Sequence, residues 1–339
     1  MNFTESASAL LDDVYLELER LDSELATTTA LSRLFEGLRE LRQAAGDEAW
    51  PELREAIQAH PVRELIHEDP MTRRSFEKPR GYAGDAVLLD YIYGEPVNDG
   101  PGVPRDGDSD PSPRARAVQR YATGRPAAAA VRHRRQWLAF QIDRAADRAL
   151  AEQRDGARVL SVACGHLREG RDSVALQTGA ISECVAVDAD ARSLAEVERS
   201  FAGRVQPVQM SVARLLARAE RLGEFDLVYS AGLYDYLDDA LARRLTARLF
   251  ERLRPGGRLI VTNFLPQVAD VGYMETFMGW ELIYRDLDGV RDFAGDIDPE
   301  RIGRLEVTPD PFGAVGTLVL DRRRATSCSG PTGGEPDAQ

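Results

Sequence analysis

Apolar residues recur at steps of three and four over residues 6–94, with Leu11, Val14, Leu18, Leu21 and Leu25 in one row and Leu31, Leu34, Leu38 and Leu41 in the next. That spacing puts each row on one face of an amphipathic helix. Pro51 and Pro61 punctuate shorter segments that suit a proline in the first helical turn. A helix over 127–151 repeats the pattern with Val131, Leu138, Ile142, Ala145 and Ala149, and its Arg132, Arg134 and Arg135 are assigned to the exposed side. From residue 157 the period changes. Val159, Leu160, Val162 and Ala163 make a buried-strand run, as do residues 184–187, 205–210, 225–230 and 258–262, with helix-compatible stretches at 168–176, 190–201, 212–222 and 240–253 between them. A helical segment is predicted around 273–284, and residues 305–307 and 315–320 read as a closing strand pair. The alternation predicts an α/β fold with a seven-stranded Rossmann-like sheet over 114–322, preceded by an N-terminal helical domain over 1–94.

Three stretches have no period. Residues 73–85 combine charges, Pro79, Gly81, Gly84, Phe76 and Tyr82, and are expected to form a lid-like loop that presents Arg80, Tyr82 and Asp85 in fixed directions. Residues 95–113 are dominated by Gly, Pro and Asp and read as a flexible linker. The tail 323–339 is polar and rich in Gly and Pro, which predicts disorder.

In an open α/β sheet, ligands bind at the carboxyl ends of the strands. The first strand ends in Ala163-Cys164-Gly165, and Asp188 follows Gly165 at about the 20-residue distance of a ribose-binding carboxylate. A dinucleotide needs three glycines to cradle its pyrophosphate, and only Gly165 is present. S-adenosylmethionine (SAM) carries no phosphate and needs one close backbone approach plus the ribose carboxylate. Residues 159–165 resemble the first motif of class I SAM-dependent methyltransferases, and residues 185–188 resemble their second. SAM is therefore the expected cofactor, held by Ala163, Cys164, Gly165, Asp188, Ala189, Ser211, Val212 and Ser230 at the strand ends. Two positions depart from the class pattern: Ser161 replaces a frequent acidic residue, and Leu167 stands where a second glycine is common. Glu169 is expected to orient the ammonium of SAM in place of that acid, with Tyr82 or Arg80 from the lid reaching its carboxylate.

The pieces 77–85, 161–165 with Arg168 and Glu169, 232–237, 273–275 and 280–285 stand in the order of one narrower group. As a set they resemble the methyltransferases of 3-hydroxypalmitic acid methyl ester biosynthesis, over roughly residues 70–322. That resemblance implies O-methylation of a fatty-acid carboxylate, a nucleophile already ionised near neutral pH. An alcohol, amine or indole carbon would need a proton removed, with Tyr234, Asp235, Tyr236 or Glu275 as the candidate catalytic residues. Tyr273, Phe277 and Trp280 are expected to pack a hydrophobic acceptor, and Arg285 to hold an acceptor carboxylate or form a structural ion pair. C- or N-methylation of an indole or another aromatic natural-product intermediate, in secondary metabolism, is the rival reading. A non-catalytic SAM sensor and a nicotinamide oxidoreductase are the readings of other classes.

Charge narrows the partners. A net charge of −13 argues against nucleic acid, whose binding rests on phosphate neutralisation. Cys164, Cys184 and Cys328 show no metal-ligand or disulfide spacing, so no metal is expected. No run of about 18 apolar residues and no leader-like N-terminus are present, which predicts a cytoplasmic protein without a membrane span. Its partner is then a small-molecule acceptor, and the helical domain is expected to serve as lid, homodimer interface or both.

Overall fold

The structure, a computed structural model, describes residues 3–20, 24–97 and 111–324. Leu21, most of the expected linker and residues 325–339 of the expected disordered tail, with Cys328, lie outside the described residues.

Strands β1 (Ala157–Val162), β2 (Ile181–Asp188), β3 (Gln206–Gln209), β4 (Phe225–Ser230), β5 (Leu253–Phe264), β6 (Ile302–Pro309) and β7 (Val315–Arg322) form one sheet in the order β3-β2-β1-β4-β5-β7-β6. β7 runs antiparallel to both β5 and β6, and the other neighbours are parallel. This is the expected α/β Rossmann-like class I methyltransferase sheet, and chain order reverses between β1 and β4. The register aligns Val162 with Val187 of β2 and Ser230 of β4, so three strand ends open on one crevice.

The N-terminal region is helical: α1 (Phe3–Arg20), α2 (Glu24–Gln58), α3 (Val62–Ile66), α4 (Pro70–Glu77) and α5 (Ala86–Tyr93). After the linker come α6 (Pro113–Thr123), which the periodicity left out, and α7 (Pro126–Ala151). Helices α8 (Arg168–Asp172), α9 (Val174–Thr178), α10 (Ala191–Phe201), α11 (Val212–Arg218), α12 (Asp239–Phe250), α13 (Val271–Thr276) and α14 (Leu287–Arg291) connect the strands. The helix expected over 168–176 breaks at Ser173, whose extended backbone ends α8 and whose hydroxyl accepts the Leu176 N–H at 3.2 Å to start α9. The helix expected around 273–284 stops at Thr276, and Gly279 turns the chain with φ +56° into an irregular stretch.

Each sheet face is covered. Leu160, Val162, Val185 and Val187 pack with Leu215, Leu245 and Leu249 on one side. Val159 and Ala186 pack with Leu138, Ile142 and Ala145 of α7 on the other. A third cluster crosses the division expected at 94–114: Leu11, Leu34, Leu38 and Ile57 share it with Val131, Phe264, Tyr273 and Phe277. Asp270 ties α13 to the start of α7, accepting the Ala127 N–H and the Arg125 guanidinium, both at 2.8 Å, and Arg125 reaches across to Glu36 of α2 at 3.8 Å. Where α13 crosses α2, a Cβ on Gly272 would lie 2.6 Å from the Leu38 carbonyl oxygen. Gly272→Ala is therefore expected to lower stability by about 1–3 kcal/mol, read as a reduced melting temperature. An unchanged melt would show that the helices separate there without cost.

Candidate active site

The turn after β1 is built from left-handed residues, with φ of 53° at Ala163, 52° at Gly165 and 51° at Leu167. Two of them carry side chains, a conformation that persists only where the surroundings impose it. Asp188 is one such constraint: one carboxyl oxygen accepts the Gly165 N–H at 2.8 Å and the other the Asp190 N–H at 2.9 Å. Burial nevertheless pushes its pKa up, against those backbone hydrogen bonds. A carboxylate has about four acceptor sites, so the group keeps capacity for a ribose hydroxyl.

Above this turn lies a cavity of about 600 Å³, a size suited to small molecules. One end is lined by Asp188, Ala189 and Asp190, and an adjoining apolar wall by Met210, Val212 and Leu215. These suit a ribose and an adenine face. The opposite end is lined by Gly84, Asp235, Tyr236, Trp280 and Leu282, with Phe264 behind, and Tyr82 lies between the two ends. A second, smaller cavity of about 50 Å³ adjoins the first, sharing Ala163, Gly165, Ala231 and Arg134 as walls.

The lid is real but shorter than expected, because residues 73–77 belong to α4, and the loop begins at Lys78 in a left-handed cap. Asp85 ends it by accepting the Leu88 N–H at 2.8 Å, while Arg74 pairs with the same carboxylate at 2.8 Å. Arg80 anchors its middle: Nη1 lies 3.1 Å from both Asp190 Oδ2 and Ser193 Oγ, and 3.3 Å from His166 Nε2. Tyr82 reaches over the cavity, edge-on to Tyr236 with ring centroids 6.4 Å apart. Burial pushes its hydroxyl pKa up, followed by the charges of Asp188, Asp85 and Asp190, which places the ring beside the ribose end.

Asp235 is 2 % exposed and sits in a short 3₁₀ turn after β4. Its Oδ1 accepts the Phe264 N–H at 2.6 Å, and its carbonyl accepts the Ile283 N–H at 2.8 Å. Burial pushes its carboxyl up to about 6, with the Phe264 N–H and the Arg134 and Arg285 charges opposing. Beside it, the Trp280 Nε1–H donates to the Tyr236 hydroxyl at 2.8 Å, locking two aromatic rings into one wall. Gly84 closes that wall: a Cβ there would lie 2.7 Å from the Tyr236 hydroxyl and 2.8 Å from the Trp280 ring.

Residues 159–257, which span β1 to the start of β5, match the family model described as a methyltransferase domain. The enzyme is a SAM-dependent methyltransferase. No curated protein matches the sequence. A solved structure described as a "possible exported protein" from Bordetella parapertussis shares the fold, at 20 % identity and TM-score 0.55 over 90 % of this chain and 98 % of that one. Weaker likenesses include magnesium protoporphyrin IX methyltransferase from Synechocystis, at 16 % identity and TM-score 0.41 over 60 % and 87 % of the two chains. An O-methyltransferase family protein from Burkholderia thailandensis is 20 % identical with TM-score 0.41 over 62 % and 60 %. S-adenosylmethionine is the cofactor, and the Gly165 turn, the Asp188 carboxylate and the apolar wall fit its adenosine part.

Of the residues expected at the methyltransferase site, Ala163, Gly165, Asp188, Ala189, Val212, Arg80, Tyr82, Asp235, Tyr236 and Trp280 line the large cavity. The others lie off the large cavity. Ser230 clips strands together, donating to the Val162 carbonyl at 2.9 Å, and Ser211 caps α11 by accepting the Arg214 N–H at 3.3 Å. Cys164 and Glu169 face the small cavity, where Glu169 accepts the Tyr229 hydroxyl at 2.8 Å. Arg80 is committed to Asp190, Ser193 and His166, and Tyr82 lies between Asp188 and Tyr236. Tyr234 is a core residue, packed on Phe293 and accepting the Thr246 hydroxyl at 3.0 Å. Tyr273 stacks on Phe35 at 4.1 Å, and Phe277 packs on Tyr273, both in the helical core. Glu275 pairs with Arg42 at 3.0 Å and does not line the cavity. Arg285 is structural: it pairs with Asp239 at 2.8 Å and donates to the Tyr234 and Leu237 carbonyls.

The sequence reading missed Asp190, Leu282 and above all Arg134, which is 7 % exposed rather than solvated. A signal for Arg134 existed in its i, i+4 alignment with Ala130 and Leu138 on α7, which places it on the buried face. Among the described residues no helix is long and apolar enough to cross a membrane, and none of the acidic, His and Cys residues form a group of three placed to hold a metal ion.

Proposed function

We propose that the enzyme methylates a small, largely hydrophobic molecule with an aromatic body that presents an O–H or N–H to Asp235, such as an indole or related natural-product intermediate. The observation that carries this reading is the Asp235 carboxyl, buried at the acceptor end of the cavity with its pKa raised to about 6. It is ionised near neutral pH yet basic enough to take a proton. Bound SAM supplies a methyl group on a sulfonium with a neutral leaving group. The task of the chain is then alignment, exclusion of water and removal of the acceptor's proton. Tyr82, Tyr236 and Trp280 supply flat faces for an aromatic acceptor and for the sulfonium charge. Asp235 Oδ2 receives the proton while Oδ1 stays held by the Phe264 N–H. Glu169, in the adjoining cavity, supplies a carboxyl for the SAM ammonium.

A fatty-acid carboxylate fits this end less well. It would meet the Asp235 carboxylate in a shared apolar site, where two like charges resist joint ionisation. Arg285 is committed elsewhere, and Arg80 is held by Asp190.

Incubation with methyl-labelled SAM, an indole and phenol panel and a long-chain 3-hydroxy fatty acid tests the reading. Label is expected on an aromatic product stable to mild alkali. An alkali-labile, labelled methyl ester of the fatty acid would overturn it in favour of carboxyl O-methylation.

A further inference from the structure

We infer that Arg134 is the residue that binds the methionine carboxylate of SAM. This rests on the cofactor alone and is independent of which acceptor is methylated.

The guanidinium is buried with the Glu169 and Asp235 carboxylates near enough to feel its charge but not in ion-pair contact with it. Arg134 is 7 % exposed, its Nη1 has no hydrogen-bond partner, and among the described residues no carboxylate forms an ion pair with it. Nearly every other buried arginine near the site is paired: Arg80 with Asp190 at 3.1 Å, Arg168 with Asp90 at 2.7 Å and Arg285 with Asp239 at 2.8 Å. A buried unpaired charge is costly, and in a binding cavity the cost is relieved when an anionic ligand arrives.

Its position selects which anion. Arg134 borders both cavities at their junction, beside Ala163, Gly165 and Ala231. The ribose carboxylate Asp188 lies on one side of the Gly165 turn, held to it by the 2.8 Å hydrogen bond. The apolar wall of Met210, Val212 and Leu215 takes the adenine. With those two limbs placed, the amino-acid limb is left to pass the Gly165 turn toward the small cavity. There it meets Arg134 on one side and the buried Glu169 on the other, the two charge signs that an amino-acid zwitterion presents. Gly232, with φ +92°, adjoins the fork, and a Cβ there would make an ordinary contact 3.6 Å from Arg134 Nη2. The fork of a guanidinium matches a carboxylate by two parallel N–H donors, which a lysine ammonium does not reproduce.

Calorimetry with two cofactor-derived probes separates this role from a structural one. S-adenosylhomocysteine carries the amino-acid end, whereas 5′-methylthioadenosine keeps the adenosine and sulfur and lacks it. Arg134→Gln is expected to weaken S-adenosylhomocysteine by about 30-fold or more, and to leave methylthioadenosine within about twofold of wild type. Arg134→Lys, which keeps the charge and fills the same space, serves if the glutamine variant does not fold, with a smaller loss on the same probe only. Equal losses on both probes would overturn the inference in favour of a structural arginine. Unchanged S-adenosylhomocysteine affinity with a raised acceptor KM would overturn it in favour of an acceptor carboxylate.

Discussion

Asp235→Asn is expected to lower kcat by about 10²- to 10⁴-fold and to raise the thermal stability of the protein above pH 6. Both effects come from one carboxyl. Its Oδ1 accepts the Phe264 N–H at 2.6 Å, an interaction that the asparagine oxygen keeps, so the turn and the cavity should survive the change. What is lost is the acceptor of the proton. In the wild-type enzyme, kcat should fall as pH drops below about 6, where Asp235 takes up its proton. The stability effect follows from the same shift. Because burial raises the folded-state pKa above the ordinary 3.8 to about 6, ionisation in the folded protein is disfavoured. The cost appears as pH rises from about 4, is complete above about 6, and is on the order of 3 kcal/mol. The variant does not bear it, so its melting temperature should exceed that of wild type at pH 8 and approach it at pH 4. Wild-type kcat in the variant at pH 8 would remove Asp235 from the chemistry. A fall in S-adenosylhomocysteine affinity as large as the fall in kcat would make it a cofactor-site residue instead.

Asp90→Ala should be the most destabilising single change near the site, at about 3–5 kcal/mol. Asp90 is 1 % exposed on α5 and receives the Arg168 fork at 2.7 Å on each oxygen, with His166 Nδ1 at 2.8 Å. His166 in turn meets Arg80, and Arg80 holds Asp190 and Ser193, so one buried chain of charges ties the lid to the Gly165 turn. Among the described residues, removing the carboxylate leaves Arg168 one ion pair, with Glu196 at 2.8 Å. Burial pushes Asp90 up, but the Arg168 and His166 hydrogen bonds and charges outweigh it and hold the group below its ordinary value. The stability it contributes is therefore present above pH 4 and is lost as pH falls through its depressed pKa. Chemical denaturation at pH 7 and pH 3 checks this: the gap between wild type and variant should be wide at the first and narrower at the second. The lid should loosen too, with weaker S-adenosylhomocysteine binding. A variant that melts within a degree or two of wild type would show that the network carries little energy.

The parts of the site that were legible in the sequence are those set by local backbone. A turn that must run left-handed beside a ligand calls for glycine, and Gly165 stands there. A strand buried on both faces reads as an apolar run, and its end, Asp188, is then placed by counting. The acceptor half was less legible because it rests on direction. Tyr234, Asp235 and Tyr236 are consecutive, yet the 3₁₀ turn sends Tyr234 into the core under α12 and turns Asp235 and Tyr236 to the cavity. From Tyr273 to Trp280 the aromatic spacing suggested one helical face, but α13 ends at Thr276, so only Trp280 comes round to the site.

The order of strands and helices, the glycine turn and the ribose carboxylate were determined by the sequence alone, because each follows from the period of burial or from the φ of one residue. Which charges are paired was decided only by the tertiary structure. Arg132, Arg134 and Arg135 are near neighbours on one helix, but Arg135 pairs with Glu95 and Asp172 while Arg134 is buried against the two cavities. Pairing of buried charge depends on elements distant in the chain, and the same packing that gives Arg80, Arg168 and Arg285 carboxylates in contact leaves Arg134 facing the cavity with no carboxylate in ion-pair contact.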